Sequence, residues 1–275
     1  MPPDVLEEAK QKRKALLGIF DALPPVTISG VVGANGPGAS RLQEETWSLH
    51  LEMVAWRTNE TPVRKEPLIV SKQVSDDELH KIQASIARES IITFQGKLCE
   101  ESPFGNAQAQ LLRLLPPAPD SELDSVLADY RQPVEMTDRV LGRLVLNKAV
   151  DWFEGELDWL GDRVRLAIAL DEDRTLTDSL LTARTLVSQM EGWTKQVSKY
   201  AVAELLQVKN DSWLSEGERP ISGPEFLRCM HLTSITAYAN GEFEFWHDDC
   251  DLFWGHAIVV RGSLSDGITG TDIAG

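Results

Sequence analysis

No stretch of the sequence approaches the roughly 18 consecutive apolar residues that a membrane span requires. Its first residues, Met1 to Lys14, carry charges of both signs without an apolar signal core. A spanning or secreted protein is not expected, and the cytoplasm is the expected location. Cysteine is scarce: Cys99, Cys229 and Cys250 are widely spaced and form no C-x-x-C pair. That excludes a disulfide framework and a four-thiolate zinc site, and each thiol is expected to be a small, mostly buried apolar group. Positive charge is also short, since 43 Asp and Glu face 27 Lys and Arg for a net charge of −16. The surplus opposes the counterion release that drives binding to DNA or RNA, so a nucleic-acid partner is not expected. No G-x-S-x-G elbow, H-E-x-x-H pair or histidine–cysteine signature occurs, which removes the common hydrolase and metalloprotease motifs.

What remains is an ordinary globular composition, 42% hydrophobic and 25% charged, in a chain of 275 residues. That length predicts two domains. Pro2 and Pro3 lead a helix over residues 3–20, and Pro24 and Pro25 stop it. Strands are predicted for Val26 to Val32, Thr46 to Arg57, Leu68 to Val74 and Ile91 to Leu98. Ser75 caps a helix running to Arg88, with Glu78 completing a capping box. Ala107 to Leu115 reads as a further helix, ended by Pro116, Pro117 and Pro119. Residues 116–135 combine these prolines with Asp120, Glu122, Asp124 and Asp129, which predicts an acidic linker closing a first domain of residues 1–135.

The second domain, residues 136–275, is better patterned. Trp152 to Trp159 and Arg163 to Leu170 alternate around Leu160, Gly161 and Asp162, which predicts a hairpin. Apolar residues from Leu176 to Val208 recur at spacings of three and four, the pattern of one long amphipathic helix kinked at Gly192. Ser222 and Glu225 frame a short helix. Strands resume at Leu232 to Ala239, the Asn240–Gly241 turn, Glu242 to His247, and Leu252 to Arg261. The order β-β-α-α-β-β-β, without a repeated βαβ crossover, predicts an α+β fold. Each of the two domains is expected to be a mainly antiparallel sheet with helices packed on one face.

Leu146, Asn147, Lys148, Trp152, Phe153 and Gly155, together with the run Asp251 to His256 and the closing Asp272 to Gly275, are distinctive. They resemble a bacterial family of uncharacterised proteins, domain of unknown function 2262, over roughly residues 138 to 275. The first half, through Gln95, Gly96, Lys97 and Ser102 to Asn106, looks like the companion domain that often precedes it. The resemblance implies a soluble bacterial protein and supplies no catalytic residues. Since related small acidic domains are found beside secreted toxins, it also makes an immunity role thinkable.

Glycines 33, 36 and 38 with Ser40 fit a phosphate loop only superficially, because Ala39 stands where the lysine is needed. A flexible inter-strand loop is expected, and no cofactor. The one cluster with metal-ligand chemistry is His247, Asp248, Asp249, Asp251 and His256. If Asp248 to Asp251 make the turn, His247 faces Leu252 and His256 faces Phe243 across the hairpin. The imidazoles are then four residues apart, about 13 Å at roughly 3.3 Å per residue, too far to share an ion that holds its ligands at about 2 Å. His256 is instead expected to be a partly buried, hydrogen-bonded histidine, and the aspartates a solvated turn lacking the glycine and glutamate of an EF-hand.

Trp246 alternates onto the opposite sheet face with Glu242 and Glu244, beside Asp248, Asp249 and Asp251. An exposed aromatic among carboxylates suits a hot spot for a basic partner. Residues 138–275 hold 23 acids and 13 bases, net −10, against 20 and 14, net −6, before them, so the surplus leans toward this half. The expected function is therefore non-enzymatic protein binding, with an immunity-type factor for a basic partner as its concrete form. The alternative is a metal-dependent or acid–base enzyme using His247, Asp249, Asp251 and His256.

Overall fold

A computed structural model describes residues 3–41, 46–59, 61–171 and 173–275. Pro2, expected at the start of the first helix, lies outside them. Two compact units emerge, Met1–Gln132 and Pro133–Gly275. In the first, helix α1 (Pro3–Ala22) precedes β1 (Val26–Val32), β2 (Gly38–Ser40), β3 (Trp47–Thr58), β4 (Leu68–Val74), α2 (Asp76–Ser85), β5 (Ile91–Cys99), β6 (Ala107–Leu115) and α3 (Ser121–Arg131).

The strands run in the order β1-β5-β6-β4-β3, and β3 pairs back onto β1. The expected open sheet thus closes into a five-stranded mixed barrel, with β4–β6 as its parallel pair. Closure is legible in the burial of β3, where Leu49, Leu51 and Met53 fill the interior while His50 and Glu52 face outward. It also depends on Gly30. A Cβ there would lie 2.4 Å from the Ala55 carbonyl oxygen and 2.6 Å from the Met53 methyl, so any larger residue would push β1 off β3.

The helix expected at Ala107 to Leu115 is strand β6. Its Ala, Gln, Leu and Arg favour a helix locally, but β6 pairs with both β5 and β4 and buries Ala107, Ala109 and Leu111 in the barrel. Pairing on both edges plus interior packing outweighs a propensity of a few tenths of a kcal/mol per residue. The two units divide after Gln132, within residues 116–135, but the acidic part of that stretch is helical and not a linker. Residues 121–131 form α3, whose N-cap Asp120 accepts from the Glu122 and Leu123 amides, each at 3.1 Å. Leu123 is fully buried, Arg57 pairs with Asp120 and Glu122, and Tyr130 accepts from the Ala34 amide. The acids there are the negative first turn of a helix packed on the first unit. Ser75 caps α2 as expected, but Glu78 does not complete the box; its carboxylate takes the Lys72 ammonium at 2.6 Å.

The second unit holds β7 (Glu135–Asp138), β8 (Gly142–Asn147), β9 (Trp152–Trp159), β10 (Asp162–Ala169), α4 (Thr177–Ser188), α5 (Met190–Ser212), α6 (Gly223–Cys229), β11 (His231–Ala237), β12 (Glu242–Asp248), β13 (Ala257–Ser263) and β14 (Gly267–Ala274). Its eight strands lie in the sheet in chain order. One neighbouring pair, β10–β11, is parallel, joined through the three helices. This is a single βαβ crossover within an otherwise antiparallel sheet, in which the helical segment returns the chain to the same end of the sheet. The helical run breaks at Gln189, before Gly192. Ala183, Leu186, Trp193, Val197, Ala201 and Phe226 from the helices share a core with Leu144, Phe153, Leu166, Phe243, Phe245 and Val260 from the strands. The β9–β10 hairpin turns through Leu160 and Gly161, both at positive φ, and Asn240 and Gly241 also take positive φ as their dipeptide demands.

Candidate functional site

The residues singled out by sequence lie on β12, β13 and the turn between them. That turn is longer than Asp248 to Asp251. His247 pairs with Ile258, not Leu252, and Phe243 with Gly262, not His256. Each partner is displaced by six residues, an even number, so Ile258 and Val260 keep the core side that alternation assigns them. The added length is taken up by Leu252, 7% exposed, and Phe253, fully buried, which turn inward under the sheet end. Phe253 meets Trp213 edge-on at 5.5 Å and Phe226 at 6.3 Å. Cys250, Asp251, Trp254 and Gly255 all take positive φ to make this path.

Asp249 holds the turn. It is 3% exposed, and its carboxylate accepts from the amides of Asp251 at 3.0 Å and of Phe253. Asp249→Ala would leave two turn amides without their acceptor, an expected loss of about 1–3 kcal/mol. Urea denaturation checks it, and an unchanged midpoint would contradict the role.

The five possible ligands are not brought to one point. His247 is 5% exposed in the interior, with Nδ1 lacking a hydrogen-bond partner. Burial pushes its pKa down from 6.5 to about 4 against the opposing effect of the Ile258 and Phe245 backbone. His256 lies outside β13, its Nδ1 bonded to the Phe253 carbonyl at 2.7 Å and its ring edge-on to Trp213 at 5.4 Å. Asp249 is spent on the turn, while Asp248 and Asp251 are exposed. Among the described residues no group of three or more His, Cys, Asp or Glu is arranged to hold a metal.

On the opposite sheet face Glu242 is exposed, but Glu244 is enclosed by donors. It accepts from Tyr238 Oη at 3.2 Å, Trp246 Nε1 at 3.0 Å and Arg261 Nε at 2.9 Å. Burial and the Glu244 charge together push Tyr238 up to about 12. Trp246 is half-buried in this network, opposite the fully buried Val259. The exposed tryptophan is Trp254, 56% accessible, its ring 4.9 Å from that of Trp213 and tilted 58° to it. Alternation puts it on the core side, because strand periodicity is blind to a turn in which Trp254 and Gly255 both take positive φ. The Trp-Gly pair before His256 was the available signal.

Residues 13–130 match a family model described as a domain of unknown function, DUF7021. Residues 138–273 match one described as an uncharacterized protein conserved in bacteria, DUF2262, in agreement with the resemblance seen in the sequence. No curated protein matches the chain. The chain therefore consists of a DUF7021 domain followed by a DUF2262 domain.

Proposed function

We propose that the protein is a non-enzymatic binding protein whose second unit engages a basic protein partner at the β12–β13 turn. The observation that carries this reading is Trp254: a large ring, 56% exposed, on a turn whose neighbours Asp248 and Asp251 are exposed acids. Asp249 and the buried Phe253 hold the turn in place, so little ordering entropy is lost when a partner docks. Trp254 would supply the apolar anchor, and Asp248, Asp251 and the strand residue Glu242 the steering charge. Glu244 and Trp246 support the sheet behind this surface through their mutual bond. An immunity-type role in the bacterial cytoplasm is the concrete form of this proposal. No helix among the described residues is long and apolar enough to cross a membrane.

Retention from a bacterial lysate at about 50 mM and about 300 mM salt tests it, since screening shortens steeply over that range. The expected result is a cationic protein held at low salt, released at high salt, and lost with Trp254→Ala or with Asp248→Asn/Asp251→Asn. Equal retention of the same protein by wild type and both variants would exclude this surface.

A further inference from the structure

The first unit contains a cavity of about 300 Å³ between α1 and the outer wall of the barrel, large enough for a small organic ligand. Its two sides differ in chemistry. One is apolar, formed by Leu16, Leu17 and Phe20 of α1 with Phe104, and faces Ile69 on the barrel wall. The other is the outward face of β3, β4 and β6, where Ser48, Ser71, Gln108 and Gln110 are polar because the alternate residues fill the barrel. Leu17 and Phe104 are 44% and 42% exposed, so apolar surface at this cavity remains open to solvent.

The charge balance is unlike that of the rest of the protein. In a chain of net charge −16, the lining among the described residues includes Arg13, Lys72 and His50 and no Asp or Glu. Lys72 is neutralised by Glu78 at 2.6 Å. Arg13 has no carboxylate partner among the described residues: its Nη2 donates to Ser48 Oγ at 3.0 Å, and the Gln73 amide, with oxygen and nitrogen exchanged, offers a further neutral acceptor. His50 is held below its usual pKa by desolvation and by the Arg13 charge, which registers the positive field there. Ser71 and Gln110, paired across β4 and β6, have no side-chain hydrogen-bond partner among the described residues.

We propose that this cavity binds a small organic monocarboxylate with an apolar body, its carboxylate on Arg13 and its body against Leu16, Leu17, Phe20 and Phe104. A guanidinium that lacks an ionic partner is a strong recognition element for a carboxylate, through charge-assisted paired hydrogen bonds. At about 30 Å³ per non-hydrogen atom, close to the share of a water molecule in the liquid, the cavity takes about ten such atoms. Octanoate and phenylacetate are of that size. Because the site lies within the first unit, it stands or falls independently of the protein-binding surface on the second.

Calorimetric titration of the full chain with octanoate and phenylacetate tests the proposal, against octanol, octylamine, acetate and inorganic phosphate. Saturable one-site binding is expected for octanoate or phenylacetate, with octylamine, acetate and phosphate at least about tenfold weaker. Arg13→Gln, in protein whose cooperative ligand-free melting shows that it is folded, should weaken carboxylate binding at least about tenfold. Should that variant fail to fold, Ser71→Trp, which fills the cavity from the outward face of β4, should abolish binding. Octanol binding as tightly as octanoate, no saturable binding at millimolar ligand, or unchanged affinity in a folded variant would each overturn the assignment.

Discussion

Acidification from pH 6.5 to pH 4 is expected to remove about 3 kcal/mol of stability from the second unit, through His247. The ring is 5% exposed, its Nδ1 has no hydrogen-bond partner, and burial holds its pKa at about 4 against an ordinary 6.5. In the folded protein the imidazole stays neutral, whereas in the unfolded chain it takes up a proton near pH 6.5. Between those values the unfolded state binds more protons, so stability falls as pH falls, by up to about 1.4 kcal/mol per pH unit. The contribution is complete above pH 6.5 and lost as pH drops through about 4, where the folded ring is protonated too. Asp138 acts in a lower window. Its bond from Arg184, with the Val140 and Leu141 amides, holds its pKa at about 2, so its contribution is present above 3.8 and lost as pH falls through about 2.

Six of the eight tryptophans lie in the second unit, so urea denaturation followed by tryptophan fluorescence reports mainly on it. Midpoints at pH 7, 6, 5 and 4.5 should decline in the wild type and stay nearly level in His247→Phe, which keeps the ring volume without the titrating nitrogens. A slope that persists undiminished in His247→Phe would show that the buried imidazole is not its source.

Phe253→Ala is expected to cost about 3–5 kcal/mol, the range for emptying a fully buried aromatic site. Phe253 belongs to a turn, yet it is completely buried and carries edge-on contacts to Trp213 at the end of α5 and Phe226 in α6. Its removal opens a cavity and loosens the segment that presents Trp254. Two readouts should move together: the urea midpoint, and salt-sensitive retention of a basic partner if Trp254 anchors it. A change below about 1 kcal/mol would mean that the turn collapses into the space, and that its order comes from Asp249 instead.

Legibility in the sequence follows the range of the forces involved. The β9–β10 hairpin, the positive-φ Asn240–Gly241 pair and the Ser222–Glu225 capping box are set by residues within a few positions of one another, and the chain shows them. Strand β6 reads locally as a helix because Ala, Gln and Leu favour one, and the β5 partners that override them are nine or more residues away. The Asp120 cap was visible in principle, but three nearby prolines made its acids look like a linker. The β12–β13 register depended on whether Leu252 and Phe253 would continue a strand or turn inward, and alternation is identical in both cases because the displacement is even.

The candidate site divides along the same line. Residue chemistry alone identified the acidic surplus, the stretch from Glu242 to His256 as the interesting one, and the side of β12 on which each residue lies, because charge is local and strand periodicity is two. Only the tertiary structure decided that β3 returns to β1 to close a barrel, that Asp249 is interior while Trp254 is exposed, and that a cavity lined by no acid among the described residues forms beneath α1. Each of those outcomes depends on which distant side chains share a core, and burial is a property of the packed set of residues that no local segment encodes.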